Sequence, residues 1–438
     1  MSKPICVVSC PVDTYSGYGA RSRDFVKSLI ELDKYDVRIL SQRWGNTRFG
    51  YLNDHAETGL QSRIVTGQLN SQPDLWIQIT VPNEFQRIGK YNIGITAAME
   101  TTHCDPSWVK GVNNMDLTLV SSNHSKQSLI NSQYEERDQN TNQVKSTVKV
   151  EKPIEVLFEG IDPLKYLPSP SNNFDLSEVK ETFNFLVVGH WLPGILGEDR
   201  KNIPYTVKTF LETFKNKQNA PGLILKISKG NASILDREEI LESIDKIKKS
   251  VRGKLPNVYL IHGDVTDGEM NLLYNNPKVK AMVSLTKGEG FGRPLLEFSL
   301  VKKPIIASGW SGHVDFLDPN FTLLIPGEIK EVHKSALQKN VIIQGSQWFT
   351  PDPVKIGQFY KQVFKHYKDY LVKAKQLGNR NAQHFSDKAM TELLGKYIEK
   401  YVPEFATQVE LKLPQMNLPK LKKVDSKPEI KLPKLKKL

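Results

Sequence analysis

Two carboxylates, Glu289 and Glu297, flank a glycine-rich turn in the run Lys-Gly-Glu-Gly-Phe-Gly-Arg-Pro-Leu-Leu-Glu at 287–297. Pro294 stands where a helix would begin, a position that suits proline because its missing N–H has no helical partner anyway. The N–H groups on either side of it are then free to bind an anion at the positive end of the helix. Free backbone donors, a helix end and two carboxylates suit a ligand that is both phosphorylated and rich in hydroxyls, and a nucleotide sugar is such a ligand. Three further sets of residues have chemistry to offer. Asp199-Arg200-Lys201-Asn202 brings two fixed cations after Gly189-His190-Trp191. Ser16-Gly17-Tyr18-Gly19 is a glycine turn between a first strand and a helix, where glycine permits close approach. Glu100 and His103 lie just past a strand's C-terminal end, the edge at which open α/β sheets collect ligands. Each has an ordinary reading beside it. Glu297 also fits a first-turn glutamate favoured by the helix dipole, and Arg200 and Lys201 also fit exposed charges at a helix start. The turn at 16–19 also fits a plain strand–helix connection, and His103, with His124 and His313, also fits a structural histidine.

The elements that must position these residues alternate between short β-branched runs and helical patterns. Ile5–Ser9, Val37–Leu40, Leu75–Ile79, Ile93–Ala97 and Leu117–Ser121 read as strands, their shortness favouring strand over buried helix. Phe25, Val26, Leu29 and Ile30 mark an amphipathic helix after the first of them. A second series follows Ile154–Leu157: Phe183–Val188, Leu223–Ile227, Val258–Ile261, Ala281–Leu285, Pro304–Ala307 and Thr322–Ile325. Repeated β–α alternation implies parallel sheets covered by helices. Phe158–Pro170 connects the two series, and the polar stretch 132–148 reads as an exposed insertion. Two closing helices are expected, one through Ile356, Tyr360 and Tyr367 and one capped by Ser386 or Asp387. Beyond Pro403 the hexapeptide Leu-Pro-Lys-Leu-Lys-Lys occurs at 418–423 and again at 432–437. Its regular prolines forbid a long helix and leave an extended, solvated tail.

The chain of 438 residues is too long for one typical core. Of its net charge of +12, residues 411–438 carry +7 (nine lysines against two acids), so the body holds only +5. The basic signal therefore belongs to the tail, which suits a polyanion, a partner protein or an anionic membrane surface. No apolar run approaches the ~18 to 20 residues of a membrane span. Three cysteines without metal-ligand spacing fit a reduced cytoplasmic setting.

The run Glu289–Glu297 resembles the Glu-x7-Glu signature of retaining glycosyltransferases of the GT-B fold, of the group-1 or family-4 type. His262–Glu269 with Leu272, Leu273 and Tyr274 resembles the stretch before that signature, and Lys303–His313 the strand and turn after it. Ser-Gly-Tyr-Gly-Ala-Arg-Ser-Arg at 16–23 and Thr-Ala-Ala-Met-Glu-Thr at 96–101 look like phage-type versions of the family. The resemblance implies two Rossmann-like domains with parallel sheets facing across a cleft, to which the closing helices and the extended basic tail read from the residues are added. The chain then divides into an acceptor-side domain at 1–158, a donor domain at 159–345, closing helices at 346–403 and the tail at 404–438. The resemblance implies that Glu289 contacts donor-sugar hydroxyls and Glu297 the ribose. The amides of Gly290, Phe291 and Gly292 would approach sugar and phosphate, and Gly17 and Gly19 would face the phosphates across the cleft. Gly189 and His190 lie in the segment resembling the diphosphate-binding one, with His190 where an arginine often stands and Leu192–Glu198 as an insertion. Lys201, with Arg200 second, would stabilise the leaving diphosphate without metal or cofactor. Glu100 or His103 would orient an acceptor or sugar hydroxyl. The donor is expected to be a UDP- or GDP-sugar. The acceptor is open among carbohydrate, lipid-linked, protein and modified DNA-base hydroxyls, and a non-catalytic binding protein on the same scaffold is a further reading.

Overall fold

The computed structural model describes residues 3–405 except 68, 70, 139, 170–173 and 231. The tail reading, 404–438, lies outside the described residues from 406 onward. The first β–α series forms strands β1 (Ile5–Cys10), β2 (Asp36–Ser41), β3 (Leu75–Ile79), β4 (Tyr91–Thr96) and β5 (Leu117–Val120). Next come β6 (Tyr134–Arg137) and β7 (Val144–Val148), then β8 (Ile154–Val156). The described residues build a six-stranded sheet in the order β2-β1-β3-β4-β5-β8, parallel throughout. Between β5 and β8, β6 and β7 pair as an antiparallel hairpin. The stretch expected to be a plain insertion is thus a small ribbon, exposed apart from Tyr134 and Val148 at its base.

The second series supplies β9 (Asn184–His190), β10 (Gly222–Ser228), β11 (Val258–Ile261), β12 (Val279–Ser284), β13 (Ile305–Ser308) and β14 (Leu323–Ile325). Their order, β11-β10-β9-β12-β13-β14, is parallel and doubly wound. It places a topological switch between β9 and β12, where such sheets open a crevice for ligands. Side chains alternate as the pleat requires. Phe185 and Val187 join one core cluster while Leu186 joins the cluster on the opposite face.

An antiparallel hairpin follows, β15 (Gly327–Glu331) with β16 (Gln347–Pro351). Val332, Ile342 and Trp348 of this arm are buried in one cluster with Ala98, Met99 and Trp108 of the first series. Trp108 Nε1 also donates to Asn340 O at 2.9 Å. Among the described residues three helices follow the arm rather than the two expected: Pro353–Lys365, Tyr367–His384 and Asp387–Tyr401. The amphipathic run through Tyr367 breaks at His366, and the middle helix shows a weaker apolar stripe. Ile356, Tyr360 and Val363 pack on the second sheet's core. Met390, Leu394 and Ile398 pack on the first sheet's core, with Ser386 capping their helix by accepting the Ala389 N–H. Among the described residues no helix is long and apolar enough to cross a membrane. Cys6, Cys10 and Cys104 are free and buried.

Candidate active site

The turn after β12 lies at the switch point and is built almost wholly from buried residues, Leu285 to Gly292. Its shape is set by side chains from both halves of the chain. Thr286 Oγ1 accepts the Gly288 N–H, and Ser311 Oγ accepts the Glu289 N–H at 2.9 Å. The Gly312 N–H returns to Glu289 O at 2.9 Å. A Cβ on Gly288 would stand 2.0 Å from Glu100 O, and one on Gly290 2.8 Å from Ala97 O. Glycine is required at both because first-half backbone runs against the turn. Gly292 caps the helix Arg293–Leu300 at φ +95°, a left-handed conformation that favours glycine. The helix starts one residue before Pro294. Leu295 N–H turns inward to Gly292 O, so the free donors lie earlier than expected. Among the described residues the N–H groups of Gly290, Phe291, Gly292 and Arg293 have no hydrogen-bond acceptor. The Phe291 ring itself is buried against Phe316.

The loop after β9 brings the cations to this turn. Asn202 adopts φ 56° at the start of the helix Ile203–Phe214, held by Asp199 Oδ1 at 2.7 Å and by Leu285 O at 3.0 Å. That clamp aims Lys201 Nζ at both Glu289 oxygens, 2.7 and 2.9 Å away. Arg200 Nη1 lies 3.1 Å from Glu100 Oε1, 3.2 Å from Gly288 O and 3.6 Å from Glu289 Oε2. Burial would raise the Glu289 carboxyl, but the Lys201 and Arg200 charges outweigh it and hold it down to about 2. The expected trio is therefore assembled, and Glu100 joins it from the first half. His103 does not. Its Nδ1 pairs with Thr102 Oγ1 at 2.9 Å, and Thr102 in turn bonds the backbone of Gln347.

The remaining residues separate by environment. His190 is exposed at the end of β9 with Nδ1 3.2 Å from Ser228 Oγ, and the nearest group a Cβ on Gly189 would meet is 3.9 Å away. Gly17 has open space in its Cβ direction, whereas a Cβ on Gly19 would strike Thr14 O at 2.3 Å. The Gly19 N–H is already taken by the capping Ser16 hydroxyl, so Gly19 shapes its own turn and offers no free donor. His313 is fully buried and held by Ser308 O. Glu297 is engaged on both oxygens, by Arg293 Nε at 3.1 Å and by the Tyr274 hydroxyl at 3.1 Å. Arg293 Nη1 continues to Asp24 Oδ2 at 2.6 Å on the helix Gly17–Glu31. Sequence reasoning gave no site role to Arg293, Tyr274 and Ser311, although they lie in the resembling runs, and did not single out Asp24. The Arg293–Glu297 pair has a local signal in its i,i+4 spacing. Asp24 has none, since 269 residues separate it from Arg293.

Burial pushes Glu297 up to about 7 against the pull of the Arg293 charge. Because that value lies above the ordinary 4.5, the folded chain binds an extra proton between the two. Stability then falls as pH rises through this window. Glu297→Gln removes the penalty, so its Tm relative to wild type is expected to rise by a few degrees between pH 5 and pH 8. A pH-independent difference in thermal melts would contradict the assignment. Glu289 has the opposite sign: its contribution is present above 4.5 and is lost only as pH falls towards 2.

No family model matches the chain, and no curated protein matches it by sequence. Solved structures match over most of its length. A glycosyltransferase from Rickettsia africae gives a TM-score of 0.60 at 14% identity, covering 91% of this chain and 99% of that one. HepE from Anabaena, in complex with UDP and glucose, gives 0.57 at 12% identity over 91% and 100%. Sucrose-phosphate synthase from Thermosynechococcus elongatus gives 0.58 at 12% identity over 91% and 98%. The fold is the two-sheet GT-B architecture of these glycosyltransferases, as the sequence resemblance implied.

Proposed function

We propose that the chain is a retaining glycosyltransferase that moves a sugar from a nucleotide-diphosphate donor to an acceptor hydroxyl. The observation that carries this reading is the run of unengaged N–H groups at Gly290–Arg293 beside the Lys201–Glu289–Arg200 cluster. Backbone donors at a helix start suit a phosphate, and two fixed cations suit a leaving diphosphate. A carboxylate held ionised among them can accept sugar hydroxyls. Glu289 then orients the transferred sugar, Lys201 and Arg200 meet the diphosphate, and Glu297 meets the ribose. In the transfer the bond from the anomeric carbon to the phosphate oxygen breaks as the acceptor oxygen bonds that carbon on the same face. The departing phosphate takes the acceptor's proton. The protein's part is positioning and charge stabilisation, which requires no protein nucleophile. The first half, 1–158, holds the acceptor and 159–345 the donor, with the helices of 346–403 joining them. UDP is the favoured nucleoside diphosphate of the donor, supported by the UDP in the HepE structure.

The test is a panel of UDP-, GDP- and ADP-sugars, read by thermal stabilisation and by donor hydrolysis. At least one UDP-sugar is expected to raise Tm by several degrees at saturating concentration, and Glu289→Ala to lose hydrolysis. If no nucleotide sugar stabilises the protein, the transferase reading is wrong.

A further inference from the structure

The edge of the first sheet carries a second cluster that donor chemistry does not use. Residues 43–55 fold over the loop that follows β1. Phe49 bridges Thr14, the Tyr15 N–H bonds Arg48 O at 3.0 Å, and the Gly50 N–H bonds Asp13 O at 2.9 Å. This clamp gathers aromatic rings. Trp44 stacks on Tyr18 with centroids 3.9 Å apart and planes inclined by 19°. Tyr51 meets Tyr15 edge-on, and Phe49 is 43% exposed. Guanidinium groups alternate with the rings, Arg48 over Tyr15 at 4.6 Å and Arg43 over Phe49 at 5.6 Å. Arg48 is balanced by Asp54 at 2.6 Å and by Asp264 of the second half at 3.6 Å. Arg43 is exposed and has no ion pair among the described residues.

Tyr18 ties this cluster to the donor turn. Its hydroxyl lies 3.1 Å from Thr96 Oγ1 and accepts the Ala97 N–H at 3.1 Å. Ala97 O is the atom against which Gly290 packs. The Trp44–Tyr18 stack therefore stands one residue contact away from the turn proposed to hold the transferred sugar, on the acceptor half. A ring already held by stacking loses little freedom when another ring lies on it, and an unpaired guanidinium selects an adjoining anion.

We propose that Trp44 and Arg43 form the acceptor platform, Trp44 receiving the face of a ring and Arg43 the phosphate next to it. The placement as an acceptor site rests on the transferase reading above. A ring with an adjoining phosphate is the chemistry of a nucleotide unit in single-stranded nucleic acid and equally of a sugar phosphate.

The test uses the full chain with two probes, a short oligothymidylate and glucose 6-phosphate, each titrated by calorimetry with and without UDP. One probe is expected to bind, and which one names the source of the chemistry. Trp44→Ala should weaken it about tenfold, Trp44→Phe should restore most of the loss, and Arg43→Gln should flatten its salt dependence. UDP affinity should be unchanged in all three variants, which also reports that they are folded. Equal probe binding by wild type and Trp44→Ala, or no probe binding by wild type, overturns the platform. Failure of UDP itself to bind overturns instead the transferase reading, because probe binding is measured without it as well.

Discussion

Glu289→Gln is expected to lower turnover of a nucleotide sugar about 10²–10³-fold while leaving UDP affinity unchanged or stronger. The glutamine keeps the shape of the side chain and its hydrogen bond to Lys201. It removes the charge that Lys201 contacts with both oxygens and that Arg200 approaches at 3.6 Å. Those two cations are then less restrained and more available to a diphosphate, so nucleotide binding does not suffer. Turnover does, because on the proposed mechanism that carboxylate holds the sugar against the cations. The split between kcat and KM separates this role from simple unfolding, which would damage both. With its carboxyl held down to about 2, Glu289 stays ionised at working pH, so no acid limb in kcat near neutrality should trace to it. Steady-state kinetics on a UDP-sugar decide the matter, and turnover within twofold of wild type would remove Glu289 from the reaction.

The second large effect is expected from one methyl group. Gly288→Ala puts a carbon 2.0 Å from Glu100 O and 3.0 Å from both the carbonyl carbon and the Cβ of Glu100. The obstacle is backbone, so it cannot rotate away, and relief requires the turn or the 97–100 segment to shift. Overpacking of this kind costs about 1–3 kcal/mol. The shift also separates Glu100 from Arg200 and displaces Glu289. A displacement of about 1 Å at reacting groups costs on the order of 10²-fold in rate. Gly59→Ala is the matched control, because nothing lies within 4 Å of its Cβ position. Thermal melts and transfer rates of the two variants should diverge sharply; a Gly288→Ala protein as stable and active as Gly59→Ala would refute the close approach.

Both effects involve residues of very different visibility in the sequence. The strands of the two sheets were readable because each is a short β-branched run bounded by turns, as at Leu223–Ile227 and Ile93–Ala97. The Glu289–Glu297 turn was readable because glycines, a proline and two acids fall within eleven residues. The hairpin arm 327–351 was not, since Gly327–Glu331 is exposed along its length and shows no apolar alternation. The helix Tyr367–His384 was missed for a related reason: most of its surface is polar and few of its positions are buried.

Local order in the sequence determined the parallel α/β class and the glycine-rich turn with its candidate residues, because each depends on neighbours within one strand, cap or turn. Only the tertiary structure decided what those residues do to one another. Lys201 meets Glu289 across 88 positions and Arg293 meets Asp24 across 269. Gly288 is glycine because of a carbonyl at Glu100, and Trp44 is held flat because Tyr18 stacks against it. Such relations come from the order of strands in a sheet and from the packing of one half against the other. No spacing within a single element carries them.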